Sequence, residues 1–435
     1  MTVTDGVVLS AVIDAIQDAL VRAATDGSAA GWDEFEREAF AHEVATGFLG
    51  GQARRALGHG DVPLDAVTES ELVGRALAAY FGAGKFQVLL DLAEVTDILI
   101  NRYDAIYLRY VDGRKLRFAP TLFASDSELR DEVSRLARRG GGTERRFDDG
   151  HPLLVLRLAD GARLAATMQV SRSVQVTIRR NLLTDVSLHE LVELGTLDLA
   201  LEAVLAAAVR AGFRIVFLGA TGAGKTTLVR ACVNETPPDT RFVVIEDTRE
   251  LDLAGDPARA DHVLEWEIRE PNIEDKGHIG IREMLRHSLR FDPDWLIVGE
   301  VRDGDAAREM LLAMQHGHPS MSTMHHNDAL TAWTKLAEYL GQGSERWEFS
   351  TAGRLVAGTV DLFVHVGFTT AGQRVVTEVV EPTGWDGEGV SLQRVFLPGL
   401  DGRAVPGVLS DRRRRRLIDH GLDPALLLNP NGWWR

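Results

Sequence analysis

Apolar positions change their spacing three times along this chain, and each change marks a new kind of element. Leu9, Val12, Ile13, Ile16 and Leu20 recur three or four apart, with Asp14, Gln17 and Asp18 on the opposite side, the pattern of an amphipathic helix. The Gly27–Gly31 stretch interrupts it. A second, acidic helix is predicted over Trp32–Leu49, stopping at Gly50-Gly51, so residues 1–75 read as a helical segment. From about residue 76 the period shortens to two. Glu94–Asn101 and Ala105–Tyr110 read as strands turning at Arg102–Asp104, with a second turn signal at Asp112-Gly113. A helix over Ser127–Arg139 and strands over Leu153–Leu158, Ala162–Met168 and Ser173–Ile178 complete an α+β domain, 76–180.

Residues 181–190 read as a linker. In 191–345, fully apolar runs at Ile215–Leu218, Phe242–Ile245, Trp295–Val298 and Ser320–Met324 alternate with helical stretches. Strands without an alternating polar face are buried on both sides, which predicts a largely parallel sheet in an α/β domain. In 346–435 a strand pair, Val360–Val366 and Arg374–Val380, precedes a Gly- and Pro-punctuated stretch and the basic run Arg412–Arg416. That region reads as a C-terminal hairpin with a basic tail whose arginines form a solvated helix face.

Composition changes little in this picture. The chain has 435 residues, enough for two or three domains, with 45% apolar and 26% charged residues, as in ordinary soluble proteins. Charge matters more. A net −16 should repel polyanions, so a nucleic-acid partner is not expected. The single cysteine, Cys232, allows no internal disulfide, and a cytoplasmic location is expected. No apolar run reaches the length of a membrane span and no signal pattern opens the chain, so any membrane connection is expected to pass through a partner.

The chemistry concentrates after the first of the apolar runs. Gly219, Ala220, Thr221, Gly222, Ala223, Gly224, Lys225 and Thr226 fit the phosphate-binding P-loop pattern, with a strand before and a helix after, and Thr227 doubles the hydroxyl. Glycines let backbone N–H groups turn inward around phosphate oxygens, and the helix N-terminus adds unpaired N–H groups. Lys225 supplies a cation for the β- and γ-phosphates, and the Thr226 hydroxyl suits Mg²⁺. Three further stretches could complete a hydrolytic site. Glu246, Asp247 and Glu250 follow one strand directly, at the end that faces the ligand crevice in a parallel sheet, although an acidic solvated turn would look the same. Gly299-Glu300 ends another strand, with Arg302 and Asp303 just beyond in positions that suit a structural or intersubunit role. His325 follows a third, where it could hydrogen-bond a phosphate oxygen or a water.

Taken in order, these stretches resemble the secretion ATPase superfamily of type II secretion, type IV secretion and type IV pilus motors, most of all the tight-adherence (Flp) pilus ATPases. The resemblance spans about residues 78–385. It rests on Glu94-Val-Thr-Asp-Ile-Leu-Ile-Asn101, Asp160-Gly-Ala-Arg163, Thr177-Ile-Arg-Arg180, the P-loop, Ile245-Glu-Asp-Thr-Arg-Glu250, Val298-Gly-Glu-Val-Arg-Asp303 and Thr323-Met-His-His-Asn327. It implies a RecA-like P-loop domain, an acidic box at 246–250, a Walker B glutamate at Glu300 and a histidine box ending at His325. It also implies ATP bound between that domain and the preceding one, homo-hexamers, and Arg163, Arg179 and Arg180 as candidates to reach the phosphates. Guanidinium forks suit that task.

The function expected on these grounds is a cytoplasmic hexameric ATPase that uses ATP and Mg²⁺ and works on an inner-membrane platform protein in pilus assembly or protein secretion. Lys225, Glu250, Glu300, His325, Arg163, Arg179 and Arg180 are the expected catalytic residues. Residues 219–227 form the nucleotide cradle, and Thr226, Asp247 and Glu300 form the metal shell. A nucleic-acid translocase on the same kind of ring and a nucleotide-gated scaffold with little turnover are the alternatives. The second is kept open by two departures from the family pattern, His326-Asn-Asp328 where Ala-Asn-Ser is usual, and Lys335 in place of an arginine.

Overall fold

The computed structural model describes residues 3–29, 31–32, 34–59, 64–111, 113–139, 146–158, 160–180, 186–269 and 276–428. Asp112 of the second turn signal and linker residues 181–185 lie outside them. The chain forms two compact units, 1–180 and 181–435.

The first unit opens with three helices, α1 (Val3–Thr25), α2 (Glu34–His59) and α3 (Ala66–Tyr80), around a small core that includes Val12, Ile16, Ala45, Leu49 and Leu72. The predicted stop at Gly50-Gly51 does not occur, because α2 runs through both glycines to His59. Glycine in a helix interior costs about 1 kcal/mol each, and burial of Leu49 against the neighbouring helices offsets it. After a short α4 (Gln87–Leu90) come β1 (Val95–Arg102), β2 (Ala105–Tyr110), β3 (Lys115–Arg117), α5 (Asp126–Arg139), β4 (Leu153–Arg157), β5 (Arg163–Thr167) and β6 (Gln175–Arg179). The strands form one antiparallel sheet in the order β3-β2-β1-β6-β5-β4. One face packs Ile98, Leu108, Leu164 and Ile178 against Leu129 and Val133 of α5. Strand alternation sends the intervening residues to the other face.

The second unit runs α6 (Leu188–Glu193), α7 (Leu199–Arg210), β7 (Arg214–Leu218), α8 (Lys225–Val233), β8 (Phe242–Glu246), β9 (Val263–Glu267), α9 (Ile281–Ser288), β10 (Trp295–Val298), α10 (Gly304–Gln315), β11 (Ser320–Met324), α11 (Ala332–Gln342), α12 (Phe349–Thr359), β12 (Leu362–Phe368), β13 (Arg374–Trp385), β14 (Val390–Pro398), β15 (Ala404–Pro406) and α13 (Asp411–Asp419). Its nine-stranded sheet has the order β15-β14-β13-β12-β7-β11-β10-β8-β9. From β12 to β9 all neighbours are parallel, with β7 between β11 and β12, the RecA-like P-loop arrangement. Both faces are covered. Ile215, Phe217, Val244 and Ile297 pack on α7 and α8, while Val216, Leu218, Val243 and Val298 pack on α9 to α12. This is why these strands read as unbroken apolar runs. Cys232 is fully buried on α8, and burial pushes its thiol pKa far up, so it is an inert core residue.

The strand pair read as part of a separate C-terminal region belongs to this sheet. β12 lies parallel to the P-loop strand, with Leu362 opposite Ile215 and His365 opposite Leu218, and β13 to β15 extend the sheet antiparallel beyond it. Nor is the basic run a solvated face throughout. It opens α13, where Arg413 is half-buried and bridges Glu381 Oε2 (3.1 Å) and Asp361 Oδ1 (3.4 Å). Arg416 lays its guanidinium 4.6 Å from the centre of the Phe213 ring. Arg412, Arg414 and Arg415 remain exposed. Trp433-Trp434 lie outside the described residues. No described helix is long and apolar enough to cross a membrane.

Candidate functional site

The crevice at the carboxyl ends of β7, β8, β10 and β11 gathers four of the predicted stretches. Gly219 follows β7, Asp247 follows β8, Gly299-Glu300 follows β10 and His325 follows β11. The P-loop is built as its composition requires. Gly219, Gly222 and Gly224 have φ of 146°, 75° and 105°, in the region closed to most side chains. A Cβ on Gly219 would also stand 2.2 Å from the Val366 carbonyl oxygen of β12, so the loop passes where only glycine fits. Gly224 caps α8, and Lys225 and Thr226 occupy its first positions, where backbone N–H groups have no intrahelical partner.

Lys225 is buried. Its Nζ donates to the carbonyls of Gly219 (2.9 Å) and Ala220 (3.1 Å) and lies 3.2 Å from His325 Nδ1. Burial lowers its pKa, and the charges of Glu300 and Glu250 oppose that shift. Nδ1 also lies 3.1 Å from the Gly219 carbonyl oxygen, so the ammonium, the imidazole and the loop carbonyl meet at one point. Nε2 lies 2.9 Å from Glu300 Oε1, out of line for a hydrogen bond. Lysine, histidine and glutamate from three separate stretches thus touch in sequence. Thr323, one strand position before Met324, donates its hydroxyl to the Gly299 carbonyl (2.5 Å) and ties the histidine strand to the glutamate turn.

The acidic box divides its labour. Glu246 is buried, and burial pushes its carboxyl pKa up to about 8, against the opposing effect of hydrogen bonds from the Glu250 (3.1 Å) and Leu251 (3.2 Å) N–H groups. A Cβ on Gly299 would stand 2.6 Å from Glu246 Cγ, so Gly299 lets β8 and β10 approach at their tips. Glu246 therefore braces the loop. Glu250 is exposed, and Arg230 holds its backbone carbonyl (2.7 Å). Asp247 and Glu300 are joined by Arg302, whose NH2 donates to Glu300 Oε2 (2.7 Å) and whose NH1 bonds Asp247 Oδ2. Of the structural and intersubunit roles expected for Arg302, this pairing within the chain is the structural one. Its link to Asp247 is not legible in the sequence, because the two lie 55 residues apart and only the sheet register brings them together.

The residues present suit a triphosphate with Mg²⁺. Glu300 Oε1 is a buried carboxylate oxygen with no hydrogen-bond donor among the described residues. Thr226 and Asp247 supply further hard oxygen atoms. No group of three His, Cys, Asp or Glu forms a metal cage among the described residues. Mg²⁺ keeps several waters and takes one or two carboxylates plus phosphate oxygens.

The predicted arginines lie in the first unit. Cross-strand register sets Arg157 opposite Arg163, Arg163 opposite Arg179, Arg179 opposite Asp97, and Asp97 opposite Arg109. Directly paired residues share a face, so four arginines and one aspartate cross the sheet in a single row. Arg179 Nε bonds Asp97 Oδ1 (3.1 Å), and Arg109 NH1 lies 3.7 Å from Asp97 Oδ2. Arg180, next in sequence, is not in this row. Its NH1 donates to the carbonyls of Leu92 (2.8 Å) and Val95 (3.0 Å), which pins the start of β1.

A match to the family described as type II/IV secretion system protein covers residues 87–360. A Mycobacterium tuberculosis protein provisionally named for conjugal transfer is 31% identical over 309 residues, 68% of this chain and 84% of that protein. The conjugal transfer protein TrbB of Rhizobium radiobacter is 32% identical over 304 residues, 68% of this chain and 87% of TrbB. Among solved structures, the sulphate-bound VirB11 ATPase of the Brucella suis type IV secretion system aligns with 69% of this chain and 97% of its own. The identity is 22% and the TM-score 0.35. Residues 87–360 carry the P-loop, both acidic strand tips and His325, and on that match the chain belongs to the type II/IV secretion system protein family.

Proposed function

We propose that this chain is an ATP hydrolase that works as a homo-hexamer on the cytoplasmic face of a membrane and drives secretion or fibre assembly through an inner-membrane platform protein. The observation that carries this reading is the Lys225–His325–Glu300 contact at the mouth of a glycine-built loop. Backbone N–H groups of residues 219–227 and the Lys225 ammonium hold the triphosphate. Thr226 would hold Mg²⁺, with Glu300 and Asp247 on its waters, and the ion would supply neutralisation of phosphate charge.

Glu300 has one oxygen held by Arg302 and the other without a donor, so it is the carboxylate placed to orient water. The water oxygen bonds to the γ-phosphorus as the bond to the β–γ bridging oxygen breaks. ADP leaves with that electron pair, and the water proton passes through Glu300 to solvent or phosphate. Exposed Glu250 is a weaker candidate for this step. Arg163 and Arg179 stabilise the charge of the transferring group, and the conformational change that follows hydrolysis passes motion to the platform partner. The test compares ATP binding and turnover of wild type and Lys225→Ala. Loss of both supports the reading, and equal rates remove the P-loop from the mechanism.

The relatives' names favour one second reading, a conjugation motor. The tight-adherence pilus output rests on the sequence motifs alone. Deleting the gene and scoring both surface pili and plasmid transfer tells them apart. A direct nucleic-acid role would add strong, salt-sensitive stimulation of the ATPase by DNA, which the net charge of −16 argues against.

A further inference from the structure

Glu300 and His325 flank the P-loop on the β11 side. On the β12 side stands a feature that none of the motifs predicts. β12 and β13 meet in a tight hairpin at Thr369–Gly372, and Arg374 is the first residue of β13, paired with Phe368 across the hairpin. The hairpin is pinned. Gln373 Nε2 donates to the Leu194 carbonyl (3.1 Å), Arg403 NH2 donates to Gln373 Oε1 (3.0 Å), and Val376 N donates to the Thr196 carbonyl (3.0 Å). From this fixed base Arg374 reaches the P-loop. Its Nε donates to the Gly222 carbonyl (2.9 Å), and its Cδ lies 3.8 Å from where a Cβ on Gly224 would stand. The aliphatic stem therefore lies along the two glycines at the loop's apex, while the Phe368 ring, 6.0 Å from Cζ, supports the guanidinium.

We propose that Arg374 is a phosphate-binding residue of the same chain, closing over the α- and β-phosphates from the side opposite His325. This rests on the reading that a nucleoside triphosphate occupies the P-loop. Nε holds the plane of the guanidinium against the loop. The two terminal nitrogens meet no acceptor among the described residues, so both remain available to an anion. A planar, pre-oriented fork of this kind matches phosphate oxygens, and it loses little freedom on binding because its stem is already placed. If Arg374 served only to brace the loop, any neutral donor to the Gly222 carbonyl would replace it.

The experiment titrates wild type, Arg374→Ala, Arg374→Gln and Lys225→Ala with ATP, ADP and inorganic tripolyphosphate, and records unliganded melting temperatures. Arg374→Ala and Arg374→Gln should weaken all three ligands at least about tenfold, the loss expected for charge-assisted bonds to phosphate. Melting temperatures should stay near wild type, since Arg374 is exposed. Wild-type affinity in Arg374→Gln would show a bracing role and overturn the proposal. Weakening of ATP and ADP without tripolyphosphate would move the contact to the base or ribose and also overturn it. Lys225→Ala keeps the two levels apart. If it loses binding while Arg374 variants keep theirs, only this inference fails; if Lys225→Ala binds normally, the P-loop reading itself fails.

Discussion

The two units carry charged groups of opposite sign on sheets of opposite design. In the second unit acids stand at the tips of parallel strands, each held by an internal partner. Glu300 and Asp247 share Arg302, Glu246 accepts from the backbone, and Lys225 touches His325. In the first unit Arg157, Arg163, Arg179 and Arg109 cross an antiparallel sheet side by side with only Asp97 among them. Like charges directly opposite each other are destabilising. The acidic tips are largely paired internally, save for Glu300 Oε1, whereas the row sets four cations beside one anion. The difference teaches which half should respond to substitution in stability and which in turnover.

Removing the row should give the largest effect. Arg163→Ala with Arg179→Ala should lower kcat by about 10³, within the range of arginines that stabilise phosphoryl transfer. The melting temperature should fall only slightly, because the relieved repulsion offsets the lost Arg179–Asp97 contact and Arg109 stays beside Asp97. A matching fall in stability would make the row structural. Next, Glu300→Gln should lower kcat by about 10² with ATP affinity retained, the usual worth of a positioned base; binding and steady-state rates check both halves.

Arg413→Ala should leave nucleotide affinity alone and destabilise the second unit by about 3 kcal/mol in denaturant unfolding. It strips the guanidinium from Glu381, which is 0% exposed. The last effect is a pH slope, small at any one pH because it is spread over several units. Glu246 keeps its proton in the folded chain up to about pH 8, whereas the unfolded carboxyl releases it near 4.5. Between those values the folded state binds more protons, so stability falls as pH rises, by up to about 1.4 kcal/mol per unit from this group. Glu246→Gln should flatten that slope in melting curves between pH 5 and 8.

Much of this was legible in the sequence because the signals are local. The P-loop declares itself by glycines at fixed offsets, and its three left-handed glycines show why. β2, β10 and β11 begin and end where their apolar runs do. Glu300 and His325 were placed by the rule that parallel strands end at the crevice, and they meet beside Lys225. What was not legible depends on neighbours distant in sequence. β12 pairs with β7 across some 150 residues, so a strand pair that looked peripheral flanks the P-loop. Arg302, Arg374 and Arg413 gain their meaning from partners on other strands. Arg180 could not be told from Arg179 by motif, yet one residue of strand register takes it out of the row. Gly50-Gly51 failed as a stop because packing outweighs propensity.

The proposed function assigns Arg163 and Arg179 to the transferring phosphoryl group, and that assignment is its central claim. The most direct measurement is retention of ADP with and without aluminium fluoride, which mimics the transferring phosphoryl, on wild type and on Arg163→Ala with Arg179→Ala. The account predicts equal ADP affinity for both proteins and a loss of at least about tenfold in the extra affinity that aluminium fluoride confers on wild type. Equal trapping of the analogue by both proteins would contradict it.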